Sequence, residues 1–140
     1  MPKIIFLKME DYNLNIYLYK DYLEWQKDEP FESMNGILNV NSHGLITFET
    51  SENYKTYKQI LSFDKLFAIV YKLPYGYITY PREINIFENM QSWSISTPEA
   101  TFTGELQEDE CSDAHITFNT TDGFKQIISL SKIFAVTYES

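Results

Sequence analysis

Apolar and polar positions alternate with a period of two over short runs along most of this chain, and turn-forming residues separate the runs, a pattern that predicts β-strands. In the second half the runs fall at 77–80, 84–87, 100–106, 115–119, 124–130 and 133–138, and the first half follows the same plan. The run 124–130 places Phe124, Gln126, Ile128 and Leu130 on one face and Ile127 on the other, between Lys125 and Ser129. The next run is apolar on both faces: Phe134, Val136 and Tyr138 alternate with Ile133 and Ala135. Its counterpart in the first half does the same, with Phe67, Ile69 and Tyr71 alternating with Leu66, Ala68 and Val70. A strand that needs cover on both sides is not the surface strand of an isolated small sheet.

These runs belong to a longer internal repeat. The phrase "KQILSFDKLFAIVY" at 58–71 returns as "KQIISLSKIFAVTY" at 125–138. Upstream, Trp25, Pro30, Gly36 and Leu38 form a W-x4-P-x5-G-x-L pattern that Trp93, Pro98, Gly104 and Leu106 repeat at the same internal spacing. "NIY" at 15–17 matches "NIF" at 85–87, and "ITFET" at 46–50 matches "ITFNT" at 116–120. A period of roughly 66 to 70 residues exceeds the common solenoid repeats, so the pattern predicts a tandem duplication of one small β unit. Unit one spans 1–71 and unit two 72–140. Each unit buries one face in its own core and shares part of the other with its twin, which predicts one compact body with pseudo-twofold symmetry. The junction "YKLPYGYITYPRE" is aromatic and unlike a flexible linker. "YKDYLEWQKD" at 19–28 favours a helix by propensity, but its counterpart "ENMQSWSIST" at 88–97 is poor in helix formers. The repeat therefore predicts extended chain there, with a short helical turn as the alternative.

The corner S-x-x-K-φ-x-A occurs at 62–68 and again at 129–135. A strand, a one-turn corner and a final short strand after hairpins is similar to the ending of SH3-like and Sm-like small barrels. The resemblance implies an all-β fold and no particular function. A pleckstrin-like half barrel without its helix and a pair of packed meanders are the alternatives. "TTDG" at 120–123 supplies a hairpin turn, since glycine accepts positive φ and aspartate satisfies turn backbone groups.

Composition narrows the functional classes. With 44% hydrophobic residues over 140 positions, the chain can build a core and is no candidate for disorder. No apolar stretch approaches a membrane span, and "MPKIIFLKMEDY" lacks the core of a signal peptide, so a cytoplasmic protein is the expectation. Cys111 is the single cysteine and cannot form an internal disulfide. The sequon at Asn119 reads as chance in the absence of an export signal. No nucleophile elbow, P-loop, zinc-protease or paired C-x-x-C motif is present. "EDECSDAH" gathers Glu108, Asp109, Glu110, Cys111, Asp113 and His115, a set that includes metal-ligand types, but the counterpart "NVNSHG" around His43 holds no carboxylate. A solvated acidic loop is the better reading, and neither a metal, a cofactor nor catalysis is expected. Three neighbouring acids should raise the Cys111 thiol pKa, which argues against a nucleophile.

Charge then gives the functional lead. Unit one carries seven Lys and ten acids, for −3, and unit two carries three Lys, one Arg and ten acids, for −6, giving the total of −9. Arg82 is the single arginine, so nucleic-acid binding through phosphate neutralisation is not expected. Acids bunch at Asp21, Glu24, Asp28, Glu29 and Glu32, and again from Glu105 through Glu108, Asp109 and Glu110 to Asp113. These residues, with an exposed aromatic patch at Tyr75, Tyr77 and Tyr80, are the candidate partner-binding surface. The expectation is a non-catalytic acidic protein that occupies a basic site on another protein. Toxin-immunity proteins and phage-encoded inhibitors act in this way, some by imitating the charge of DNA. The alternatives are a structural or assembly module using strand edges, and an enzyme or ligand binder using His43, His115 and the acidic loop at the unit interface. Trp25 and Trp93, at equivalent places, are expected to pack.

Overall fold

The computed structural model describes residues 14–41, 45–73 and 81–138. Its first half contains β1 (Leu14–Tyr19), α1 (Tyr22–Lys27), β2 (Glu32–Val40), β3 (Ile46–Glu52), β4 (Lys55–Leu61) and β5 (Ala68–Lys72). The second half contains β6 (Arg82–Phe87), α2 (Met90–Ser94), β7 (Ala100–Leu106), β8 (His115–Thr120), β9 (Phe124–Ser129) and β10 (Ala135–Tyr138). The strand expectations from 84 onward agree with these elements to within two residues at each end, whereas the run 77–80 and His43 lie outside the described residues.

All ten strands form one antiparallel open sheet in the order β10-β6-β7-β8-β9-β5-β1-β2-β3-β4. Two SH3-like or Sm-like barrels packed about a pseudo-twofold are therefore replaced by a continuous sheet. The physical reason lies at β5, which pairs with β1 on one side and β9 on the other, so its amides are satisfied within a ladder that runs from one half into the other. Unlike edges meet there. The order β5-β1-β2-β3-β4 matches β10-β6-β7-β8-β9 strand for strand, and the β5 edge of the first set joins the β9 edge of the second.

Residues 22–27 and 90–94 are helical, which corrects the expectation of extended chain. The deciding residues are the caps. Asp21 and Asn89 both have extended backbones, and their side chains accept from the amides of Glu24 at 2.9 Å and Ser92 at 2.8 Å. Such an N-cap contributes about 1 kcal/mol, enough to offset the weak propensity of "MQSWS". The two corners are single 3-10 turns at Phe63–Lys65 and Leu130–Lys132, as the S-x-x-K pattern implies.

Two cores occupy opposite faces of the sheet. Leu14, Ile16, Leu18, Leu38, Ile46, Phe48, Ile69, Tyr71 and Ile127 build one; Tyr19, Phe67, Ala68, Val70, Ile84, Ile86, Phe118 and Ile128 build the other. Because side chains alternate along a strand, β5 feeds Ile69 and Tyr71 to the first core and Ala68 and Val70 to the second. The need of this strand for cover on both faces is met: Phe67 to Tyr71 are buried throughout. The corresponding strand β10 is different, with Phe134 and Tyr138 exposed.

Gly36 and Gly104 explain the glycine of the repeated pattern. A Cβ at Gly36 would stand 2.2 Å from the carbonyl oxygen of Glu49, and one at Gly104 would stand 2.4 Å from that of Asn119. Both obstacles are backbone on a neighbouring strand and cannot rotate away. Gly36→Ala and Gly104→Ala should each lower stability by about 1–3 kcal/mol in denaturant titration, whereas Gly123→Ala, where a Cβ meets nothing, should be limited to the strain of its φ of 92°. Equal stability of Gly36→Ala and the parent would contradict the close approach.

Candidate functional site

Helix α1 rises from the first set of strands and leans on the second. Trp25 lies 5.5 Å from Phe67 and 6.2 Å from Phe102 between ring centroids, and its Nε1 donates to Gln126 Oε1 at 2.6 Å. The Tyr22 hydroxyl donates to the carbonyl oxygen of Glu99, also at 2.6 Å. These contacts form one margin of a groove of about 840 Å³ over the β5–β9 seam. Tyr17, Tyr19, Trp25, Phe102 and Phe124 supply its aromatic lining, and Asp28, Glu99 and Asp122 supply carboxylates. No Lys, Arg or His is among the described residues that line it.

Neutral groups hold each carboxylate. Asp28, in the left-handed conformation at the end of α1 with φ 56°, accepts from the Tyr19 hydroxyl at 2.6 Å. Burial, reinforced by this carboxylate, pushes the Tyr19 phenol far above its ordinary pKa. Glu99 Oε2 accepts from the Glu88 amide and from Ser92 Oγ at 3.0 Å, and burial followed by the charges of Glu99 and Glu88 raises the Tyr22 phenol. Asp122 accepts from Thr120 Oγ1. A phenol, hydroxyls and an amide orient these groups without cancelling their charge, so the groove combines negative potential with aromatic faces.

The predicted acids divide between two places. Asp28 reaches the groove. Asp21 caps α1, Glu24 accepts from the Lys20 amide and pairs with its ammonium at 3.2 Å, and Glu29 and Glu32 are exposed beside the helix. Glu108, Asp109 and Glu110 form a 3-10 turn on the other face of the seam. There Asp109 and Glu110 border a smaller cleft of about 160 Å³ with Leu38, Tyr71, Lys125 and Ile127. Val70 and Gln126 line the first groove while Tyr71, Lys125 and Ile127 line the second, so alternation places the two acidic sets on opposite faces of the sheet. Glu110 remains exposed but pairs with the buried Lys125 at 2.5 Å, so its charge is partly compensated within the fold. Tyr75, Tyr77 and Tyr80 lie outside the described residues.

Sequence reasoning missed Glu99 and Asp122. Glu99 is half-buried after the proline of the W-x4-P pattern and Asp122 is exposed in the TTDG turn, so neither stands in one of the bunches of acids that charge patterning picks out. The metal-ligand set around His115 does not converge: no group of three or more His, Cys, Asp and Glu side chains gathers among the described residues. His115 is buried, its Nε2 donates to the carbonyl of Glu110 at 3.0 Å, and its Nδ1 accepts from Ser112 Oγ at 2.7 Å. Cys111 Sγ donates to the Gln107 carbonyl at 3.2 Å, and burial, with the acids of the turn adding to it, raises the thiol. No family model, curated protein or solved structure matches the chain.

Burial holds His115 below its ordinary pKa of 6.5, so the folded state binds a proton less readily than the unfolded chain. Its contribution to stability is complete above the unfolded pKa and is lost as pH falls through the folded one. Unfolding free energy should therefore fall between pH 7 and 5, and His115→Gln should show a shallower slope, the difference approaching at most about 1.4 kcal/mol per pH unit. Parallel slopes would show that folding leaves the proton affinity of His115 unchanged, which would contradict the effect of burial.

Proposed function

We propose that this protein is a non-catalytic binder whose groove between α1 and β7 receives a basic segment of a partner protein. The observation that carries the reading is the groove itself: three carboxylates and several aromatic faces, with no cation along its described lining. A lysine or arginine side chain entering it meets the negative ends of Asp28, Glu99 and Asp122. Its aliphatic stem and cationic head can lie against Trp25 or Phe102, a contact of roughly 0.5–2 kcal/mol for a partly desolvated cation. The net charge of −9 steers such a partner from a distance. By covering a basic site the protein would neutralise its partner, in the manner of immunity proteins and phage inhibitors. Enzymatic chemistry has no comparable support, since His115 and Cys111 are engaged inside the fold.

We also read the two matching sets of strands as tandem duplicates. The repeated phrases, the matched strand order and the paired glycines support this history. Duplication accounts for the position of the groove, which arises where the helix of one set leans on strands of the next.

Titration with lysine-rich and arginine-rich peptides, followed through tryptophan fluorescence, tests the reading. Affinity should fall as salt rises from low to physiological ionic strength, where screening acts over about 8 Å. Asp28→Asn, Glu99→Gln and Asp122→Asn together should weaken binding at least tenfold. Glu108→Gln with Asp109→Asn, on the other face, should leave it nearly unchanged. Binding indifferent to salt and to the three groove carboxylates would contradict the mechanism.

A further inference from the structure

We propose that the two edges of the sheet left open among the described residues pair with each other between copies of this chain. In that arrangement β10 of one molecule runs antiparallel to β4 of the next, in the register that β5 makes with β9. This inference is independent of the groove.

The template is inside the molecule. β5 meets β9 with Ala68 opposite Ile128, Ile69 opposite Ile127, Val70 opposite Gln126 and Tyr71 opposite Lys125. The Ser129 amide donates to the Phe67 carbonyl at 2.9 Å and the Leu73 amide to the Gly123 carbonyl at 2.8 Å, so the ladder extends beyond both ends of β5. Both partners of this junction recur at the sheet margins. The "KQII" of β9 is "KQIL" on β4, and the "FAIVY" that enters β5 is "FAVTY" entering β10. Among the described residues nothing pairs with the outer edge of either β4 or β10.

Exposure follows the same correspondence. Phe67, Tyr71 and Ile127 are 1%, 4% and 3% exposed at the internal junction, whereas their counterparts Phe134, Tyr138 and Ile60 are 44%, 41% and 71% exposed. Trp93 lies 5.5 Å from Phe134, as Trp25 lies 5.5 Å from Phe67, yet Trp93 is 48% exposed. Trp25 obtains its polar partner from Gln126, across the junction. Gln59 occupies the matching place on β4, where it would receive Trp93 of the neighbouring copy. The surfaces left uncovered at the two margins are thus the two halves of an interface that the chain already makes once. One difference separates the two: Lys125 stands opposite Asn119 and is paired with Glu110, while Lys58 stands opposite Glu49 on β3 and the stretch 39–44 offers no counterpart of Glu110. The intermolecular junction is therefore weaker than the internal one and reversible. Because unlike edges meet, each added copy presents a new β4 and β10 pair, so assembly grows as a filament or closes as a ring.

Two measurements test this together. Sedimentation of the full chain should give a mass that rises with concentration above that of one 16.5 kDa chain. Ile60→Lys should lower association at least tenfold with its unfolding transition unchanged. Cysteines placed on separate chains then read the register. Val70 and Gln126 fall between the hydrogen-bonded pairs, where Cα atoms lie about 4.5 Å apart and a disulfide fits. Their counterparts, Thr137→Cys on one chain and Gln59→Cys on another, should form a mixed disulfide on mild oxidation. Val136→Cys with Gln59→Cys, one residue out of register and on the other face, should not exceed the background of the parent thiol. The inference is overturned if the parent stays at the mass of one chain up to millimolar concentration, or if it associates without the mixed disulfide. It is overturned equally if 59–59 or 137–137 disulfides dominate, or if one chain carrying both cysteines closes on itself.

Discussion

The ladder between β5 and β9 has to form before either face of the sheet can stay dry. Ala68 and Val70 contribute to one core while Ile69 and Tyr71 contribute to the other, and Ile127 and Ile128 divide in the same way. Burying a large aliphatic or aromatic side chain contributes about 1.5–3 kcal/mol. A strand whose five consecutive positions from Phe67 to Tyr71 are all buried therefore concentrates the hydrophobic gain of both halves in one place. Separating the halves would wet both faces at once and leave two rows of amides without partners.

The groove depends on the same seam. Val70 and Gln126 lie along its floor strands, and Gln126 holds Trp25, which in turn holds α1 against Phe67 and Phe102. The end of that helix places Asp28, while Tyr22 reaches across to the Glu99 backbone. Rigidity at the seam thus fixes the spacing of carboxylates contributed by distant parts of the chain. Charges oriented by neutral donors keep their field, which the basic partner we propose would use without a large reorganisation.

Much of this was legible in the sequence, and the limits have physical causes. Period-two patterning located β7 and β8, and the two-faced run 66–71 announced a strand covered on both sides, because hydrophobic alternation reports which faces are buried. It does not report which edges meet, so the joining of β5 to β9 in one sheet was not visible. The helices ranked only as the alternative because their evidence sits in single cap residues, Asp21 and Asn89, whose effect is lost when helix propensity is averaged over the whole segment. Glu99 and Asp122 escaped notice because an isolated acid becomes part of a site only when the fold brings it near another. The bunched acids drew attention instead, and Glu110 among them is occupied by Lys125. Strand β10 carries the same two-faced pattern as β5, yet none of its residues is buried and Thr137 and Tyr138 are exposed, so the pattern marks a surface that requires cover without saying what supplies it.

Hydrogen exchange of the backbone amides tests the central role of the seam most directly. The account predicts that β5 and β9 amides are the slowest to exchange, opening only in the global unfolding that dissolves both cores in one transition. Amides of the seam that exchange faster than those of β3 and β7, or two halves that open in separate transitions, would contradict it.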